Sequence, residues 1–325
     1  MNVLIYEIGD DKMGIKDYKV GDRFTGPLLI KNVKKGKTNS GNDFLAMTLC
    51  DATGDIVANI WDSTAEQEQS MLAGAILMVS GTITEFRSKR QINMQVFRLS
   101  KPEDNIDIGQ LLQKAPISGN AMLSSIVTEI KEMKNKNIQS ITLNVLKNNA
   151  DKFKTHPAAK NVHHSYMSGL AYHTYNMMKI GKALCEIYPA LNRDLLLAGI
   201  ILHDIGKIVE YTSYINTEPT LNGKLRGHIT IISEEIAMVA KELKLDDSQE
   251  KLLLQHMVLS HHGLQSNGWG SAVSPQIIEA NVLHRIDTID AEMDMYIGAI
   301  AETEEHEFTS KIWGMDNREF YNHGL

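Results

Sequence analysis

The sequence predicts two folds in one chain, an N-terminal all-β barrel and a C-terminal all-α helical bundle. Three observations carry this. Over the first hundred residues apolar side chains recur with a period of two, in short runs broken by turn residues. From Ser165 onward the period is helical almost throughout. Ten of the twelve histidines lie between His156 and His284, inside the helical part.

In the first part, Phe24-Thr-Gly26 followed by Leu28 to Val33 reads as the first strand. Phe44, Ala46, Thr48 and Cys50 then alternate with Leu45, Met47 and Leu49, with turn signals at Asn39-Ser-Gly41 and Asp51-Ala-Thr-Gly54. Further strands are expected at Ile56–Trp61, Ala75–Gly81, Thr82–Phe86 and Gln91–Phe97, with a polar, helical insert over Ser63–Ser70. Five or so short strands suit a small closed barrel over residues 1–105.

Lys101-Pro-Glu-Asp-Asn marks a boundary, and residues 106–160 read as an amphipathic helical connector. Its helices are expected from Ser118 and over Ile138 to Phe153, until His156-Pro157 stops the pattern. The remainder, 161–325, is the histidine-bearing bundle. One helix is expected over Tyr166–Tyr188, carrying His173, and a second over Arg193–Ile208, carrying His203, Asp204 and Lys207. A polar loop around Thr217–Gly223 precedes a helix opened by His228. Asp246-Asp-Ser248 caps a helix that runs into His261-His262-Gly263, and Ser274-Pro275 is expected to start the last one, with His284 and Asp287.

Composition narrows the classes. At 325 residues, 43% hydrophobic, the chain can bury two cores, and a net charge of −7 argues against a generic polyanion binder held by bulk electrostatics. The charge is uneven: residues 1–100 carry 12 basic and 12 acidic side chains, residues 101–325 carry 21 and 28. Nucleic-acid contact is therefore sought in the barrel first. Cys50 and Cys185 stand apart in apolar surroundings, as reduced core residues do, and offer no zinc pair. Neither a basic-then-apolar leader nor an apolar run of about 18 residues occurs, so a soluble, cytoplasmic protein is expected, off the membrane. The sequence leaves open whether it forms a homo-oligomer.

The strand order, with a Lys-rich loop, an Asp-x-Thr-Gly turn and a strand ending in Trp61-Asp62, resembles the OB-fold of nucleic-acid-binding proteins. That resemblance implies aromatic side chains stacking on bases and cations following phosphates. The candidates are Lys31, Lys34, Lys35 and Lys37 on one loop, Arg87, Lys89 and Arg90 on another, and Phe44, Trp61 and Phe86 as platforms. The plain alternative is that Trp61 and Phe86 fill the core and the lysines only solubilise a hairpin.

A lone histidine on a helix is usually a satisfied core or surface side chain. Here the pattern has company. His203-Asp204-Ile-Gly-Lys207 follows the apolar run Leu195–Leu202, placing an imidazole and a carboxylate side by side on a pinned turn. The ordered set His173, His203-Asp204, His228, His261-His262 and Asp287 resembles the HD superfamily of metal-dependent phosphohydrolases, in its two-metal, six-histidine form. The resemblance implies one cation on His173, His203, Asp204 and Asp287. A second would share Asp204 and add His228, His261 and His262. Nitrogen and oxygen donors without thiolate suit Mn, Co, Fe or Ni better than a structural zinc and do not choose among them. His256 and His261 would lie about 140° apart on one helix, so His256 is expected behind the ligands. Asp290, one turn beyond Asp287, is expected to orient a ligand. His163 and His164 read equally as substrate contacts or as a cap.

Two cations sharing a carboxylate acidify a water and neutralise a phosphate under attack. Asp204 and Lys207 are the expected catalytic residues, the lysine either reaching phosphate oxygens or pairing with Asp204 or Glu210. No nucleophilic Ser or Cys arrangement and no phosphate-cradling glycine loop is evident. Nearly the whole chain resembles the YhaM family of 3′–5′ exoribonucleases. The supporting stretches are Gly54–Asp62, Ser168–Thr174, His203–Lys207, Gly227-His228-Ile229, Leu259–Gly263 and Leu283–Asp287. Arg285-Ile286 departs from the Ala that HD proteins often carry before the Asp. The resemblance implies a metal-dependent 3′–5′ exonuclease on single-stranded RNA, extending to single-stranded DNA, with salt-sensitive binding. Two rivals stand beside it, an HD-type nucleotide or cyclic-dinucleotide phosphohydrolase and a non-catalytic nucleic-acid-binding protein with a structural metal.

Overall fold

The computed structural model describes residues 13–87, 89–159, 164–267 and 270–325, so the opening stretch Met1–Asp11 and His163 lie outside the described residues. The chain divides into two compact units, residues 1–114 and 115–325.

The first unit is a closed five-stranded barrel. Its strands are β1 (Arg23–Lys37), β2 (Asp43–Asp51), β3 (Gly54–Trp61), β4 (Ile76–Phe86) and β5 (Lys89–Leu99). They close in the order β1-β2-β3-β5-β4, with β3 and β5 parallel and the other pairs antiparallel. Period-two alternation sends Leu45, Met47 and Leu49 into the core, against Leu28, Ile30, Ile56, Ile60, Leu77 and Val79. The helix α1 (Ala65–Ser70) starts at Thr64, whose side chain and that of Gln67 cap each other's backbone.

Two expectations fail here for local reasons. The runs 75–81 and 82–86 are one strand, because Gly81 does not end it. A Cβ there would stand 2.6 Å from the Asn93 carbonyl, and the β4–β5 register shifts at this point, so glycine admits a bulge. The Lys-rich loop is also a strand. Pairing of β1 with β2 runs out to Lys37↔Asp43, and Thr38–Asn42 makes the turn, which places Lys31, Lys34, Lys35 and Lys37 within β1. Likewise Lys89 and Arg90 open β5, opposite Phe86 and Glu85, leaving Arg87 at the turn with φ +51°.

The second unit holds α2 (Gly119–Lys131), α3 (Lys136–Phe153), α4 (Gly169–Ile187), α5 (Arg193–Leu202), α6 (Lys207–Glu210), α7 (Leu221–Glu242), α8 (Gln249–Ser260) and α9 (Ile278–Ala301). Ser118, Asn135, Asn192, Thr220 and Ser248 each accept a backbone N–H at the start of a helix. The 106–160 stretch contributes Met122, Ile126, Ile141, Val145 and Phe153 to the same core as Leu170, Met177, Leu283 and Ile286. At its centre lies α5, all of Leu195–Leu202 buried. Each such aliphatic side chain contributes about 1.5–3 kcal/mol on burial, enough together to carry a cluster of buried polar groups beside it.

The helix expected over 193–208 is broken: α5 ends at Leu202 and residues 203–206 turn before α6. Gly206 makes this possible, since a Cβ there would lie 2.2 Å from the His228 carbonyl oxygen. Helix α4 begins at Gly169 rather than Tyr166, after Ser168 at φ +66°, and α9 begins at Ile278 rather than at Ser274-Pro275. No helix among the described residues is long and apolar enough to cross a membrane.

Candidate metal centre and nucleic-acid face

Five elements deliver the seven residues singled out by spacing. His173 lies on α4, and His203-Asp204 sits on the turn after α5. His228 follows Gly227, whose φ of +68° breaks α7 so that a fresh helix starts at the histidine. His261 and His262 end α8, and Gly263 at φ +85° turns the chain away. Asp287 projects from α9.

Asp204 is the hub. Its Oδ2 lies 3.3 Å from His203 Nε2 and 3.8 Å from His173 Nε2; its Oδ1 lies 3.5 Å from His228 Nε2 and 3.8 Å from His261 Nε2. Asp287 Oδ1 stands 3.2 Å from His173 Nε2 and 4.0 Å from His203 Nε2. His262 joins on the far side, its ring centroid 5.3 Å from that of His228 and 4.2 Å from that of His261. The structure thus brings all seven together.

The far nitrogen of four of these rings is engaged. His203 Nδ1 meets the Ile200 carbonyl at 2.8 Å and His261 Nδ1 the Val258 carbonyl at 2.7 Å. His228 Nδ1 meets Glu210 at 2.9 Å and His173 Nδ1 meets Asp290 at 2.7 Å. Each partner can only accept, so each ring carries its proton on Nδ1, and a neutral ring presents a lone pair at Nε2. The Nε2 atoms of His203, His228 and His261 and Oδ1 of Asp204 are buried and find no hydrogen-bond partner among the described residues. Orphaned buried acceptors are costly unless something else satisfies them. Bonds of about 2.1 Å to a shared cation put neighbouring donors about 3.0–3.5 Å apart, close to the separations around Asp204 and Asp287. His228, His261 and His262 form one set that could hold a metal ion, and His173, His203 and Asp204 form another.

Electrostatics fit the same reading. Burial opposes the charge on Asp204, but the Lys207 ammonium, 2.7 Å from Oδ2, and His203 hold its carboxyl well below the usual carboxylate range. Lys207, itself buried, is pushed up by the same carboxylate. Burial pushes His261 well below the ordinary imidazole range, helped by His262 and His203, so it stays neutral. His173 is driven down by burial and up by Asp287 and Asp290, ending at about 9; a cation on Nε2 would displace the second proton those carboxylates attract.

His256 stands apart, its Nε2 accepting from the Gln276 backbone at 2.9 Å, so it ties down the segment before α9. The residues missed by sequence reasoning are Glu210 behind His228, and Asp294 with Tyr166 around His164. A signal for Asp294 existed: Asp287, Asp290 and Asp294 fall at i, i+3 and i+7, one stripe of a helix.

In the barrel, Trp61 and Phe86 are 61% and 59% exposed, so the core reading for them fails. The alternation that buries Ile60 turns Trp61 outward. Trp61 pairs across strands with Phe44, ring centroids 5.4 Å apart, and Phe44 lies opposite Gly36, where a Cβ would stand 2.5 Å from its ring. The cations are less available than their number suggests. Lys31 pairs with Asp55, Lys35 with Glu68 and Lys37 with Asp43, while Arg90 donates to the Lys16 and Tyr18 carbonyls. Arg87 lies over the Phe86 ring at 5.2 Å. Lys34 and Lys89 are exposed.

Residues 170–292 match the HD domain family. The chain is 44% identical over 310 residues, covering 95% of this chain and 97% of the other, to 3′–5′ exoribonuclease YhaM of Oceanobacillus iheyensis. Among solved structures it is similar to the second OB-fold domain of replication protein A from Methanococcus maripaludis. That match has 19% identity and TM-score 0.23 over 27% of this chain and 94% of that one. A replication protein A heterotrimer bound to single-stranded DNA matches at 20% identity and TM-score 0.21, over 30% of this chain and 72% of that one.

Proposed function

The chain belongs to the family of 3′–5′ exoribonuclease YhaM, and from that premise we propose that it is a metal-dependent nuclease shortening single-stranded RNA from the 3′ end. The observation that carries the hydrolytic part is the convergence of buried imidazole nitrogens on Asp204 and Asp287. His173, His203, Asp204 and Asp287 would hold one divalent ion; Asp204, His228, His261 and His262 would hold a second, with Mn as the first candidate. Bound there, such ions supply an acidified water and positive charge beside the phosphate under attack.

The protein's own groups do the rest. Asp204 offers one oxygen to each set, and Lys207 balances its charge; its ammonium would stabilise negative charge on a phosphate bound beside it. The four engaged Nδ1 atoms fix the orientation of their rings before substrate arrives. Hydrolysis adds a water oxygen to the terminal phosphorus and breaks its bond to the preceding O3′, releasing a nucleoside 5′-monophosphate and leaving a new 3′-hydroxyl. In the barrel, Phe44 and Trp61 would stack bases, with Lys34, Arg87 and Lys89 on the phosphates, and single-stranded DNA would fit the same face.

The test is digestion of a 5′-labelled oligoribonucleotide with Mn²⁺. A ladder shortening one nucleotide at a time supports the proposal. Turnover of nucleotides or cyclic dinucleotides with the oligomer intact would replace it by the small-substrate reading. Strand binding that persists in EDTA, with no shortening on Mn²⁺ addition, would leave a structural metal.

A further inference from the structure

Behind the proposed metal centre, His173 and Asp290 continue into a largely buried group, His164 with Tyr166 and Asp294, to which the hydrolytic scheme gives no role. Asp290 Oδ2 sits 2.7 Å from His173 Nδ1 and 2.7 Å from His164 Nε2. His164 Nδ1 in turn meets the Tyr166 hydroxyl at 2.6 Å and Asp294 at 3.1 Å, and Asp294 also accepts the His164 backbone N–H at 2.7 Å. Both histidines and Asp290 are buried.

His164, His173 and Asp290 are grouped closely enough to suggest another ion. Their contacts argue otherwise: two nitrogens at 2.7 Å from one carboxylate oxygen are hydrogen-bond lengths, shorter than the donor separations a shared cation imposes. Asp290 is an acceptor for both rings. We propose that His164 is a positioning residue, which through Asp290 locks His173 in the orientation and tautomer that metal binding needs. The proposal rests on the reading of the metal centre given above.

The backbone supplies a second observation. His164 lies at φ +47°, a region sparsely populated by non-glycine residues, and is held there from several sides. Asp294 takes its N–H, its carbonyl accepts from Ala158, and Gly169 lets α4 start against that carbonyl, where a Cβ would stand 1.9 Å away. A packing histidine does not require this conformation. Here it accompanies a ring whose Nε2 reaches Asp290 while Nδ1 faces Tyr166 and Asp294. Asp287 and Asp290 lie one turn apart on α9, so one helix presents a carboxylate to each nitrogen of His173.

The experiment uses the full chain and Mn²⁺ alone, with free ion counted by electron paramagnetic resonance and the melting temperature of the metal-free protein recorded beside it. H164F keeps a ring and loses both nitrogens; H164Q keeps a donor toward Asp290. D290N removes the shared carboxylate on a regular helix, and carries the test if H164F does not fold. D290N and H164F should each weaken Mn²⁺ binding by roughly 10–100-fold, with H164Q within about threefold of wild type. The double variant should bind no worse than D290N, because both changes cut the same link. Wild-type binding by H164F, additive losses in the double variant, or equal losses in H164F and H164Q with matching drops in melting temperature would overturn the proposal. Wild-type protein that takes up no Mn²⁺ would instead remove the metal centre itself.

Discussion

His228 donates from Nδ1 to Glu210 Oε2 at 2.9 Å, although Glu210 belongs to a four-residue helix that spacing alone never tied to the histidines. A carboxylate behind a ligating imidazole orients the ring and raises its basicity. Glu210→Ala should therefore lower Mn²⁺ affinity by roughly 10–100-fold with little change in RNA affinity. Titration calorimetry with Mn²⁺ checks it, and an unchanged isotherm would reduce the contact to packing.

Gly206 packs against the His228 backbone at a distance no side chain tolerates. Gly206→Ala should cost about 1–3 kcal/mol and displace His228. A urea midpoint equal to wild type would mean that the turn after α5 yields more easily than its packing implies.

Among the described residues, Asp204 is the one carboxylate that faces both sets of imidazoles. Asp204→Ala should reduce hydrolysis on the order of 10³-fold or more, the scale of losing a group that acts on developing charge. Strand binding should change by less than about threefold, since phosphate and stacking contacts carry it. Parallel loss of both in filter-binding and digestion assays would point to a structural metal.

Phe44 and Trp61 form an exposed cross-strand pair. Trp61→Ala should weaken binding of single-stranded RNA by about 1–3 kcal/mol. Three lysines of β1 are paired with carboxylates, leaving Lys34, Arg87 and Lys89 as the proposed phosphate contacts. With about three phosphates neutralised, log K against log[salt] should slope near roughly −2, gentler than the lysine content suggests. A slope beyond about −4 would show that those ion pairs open on binding.

Burial, with Asp55 adding to it, pushes the Cys50 thiol up from 9.0 to about 12. The folded state holds this proton more tightly than the unfolded chain. Stability from the site is therefore full below pH 9 and lost as pH rises from 9 toward 12. Iodoacetamide at pH 9 should label Cys50 only after urea is added, and rapid native labelling would contradict its burial.

The order of His173, His203-Asp204, His228, His261-His262 and Asp287 was readable along the chain, as was the helical period that carries most of them. Two short-range signals misled. The lysines of β1 read as a loop because turn residues follow them, yet cross-strand pairing extends the strand through Lys37. The core alternative for Trp61 and Phe86, suggested by residue type, also failed, since alternation beside a buried neighbour turned Trp61 to solvent.

By itself the sequence determined the two folds, the candidate donor residues and their order, because apolar periodicity and side-chain chemistry are local properties. The tertiary structure alone decided which imidazole nitrogen faces Asp204, that Glu210 backs His228, and that His173 is the ring Asp290 orients. It also decided that a ring ahead of α4 reaches the centre through Asp290. Those choices depend on helix ends far apart in sequence meeting in space, at glycines where only a missing side chain lets two backbones touch.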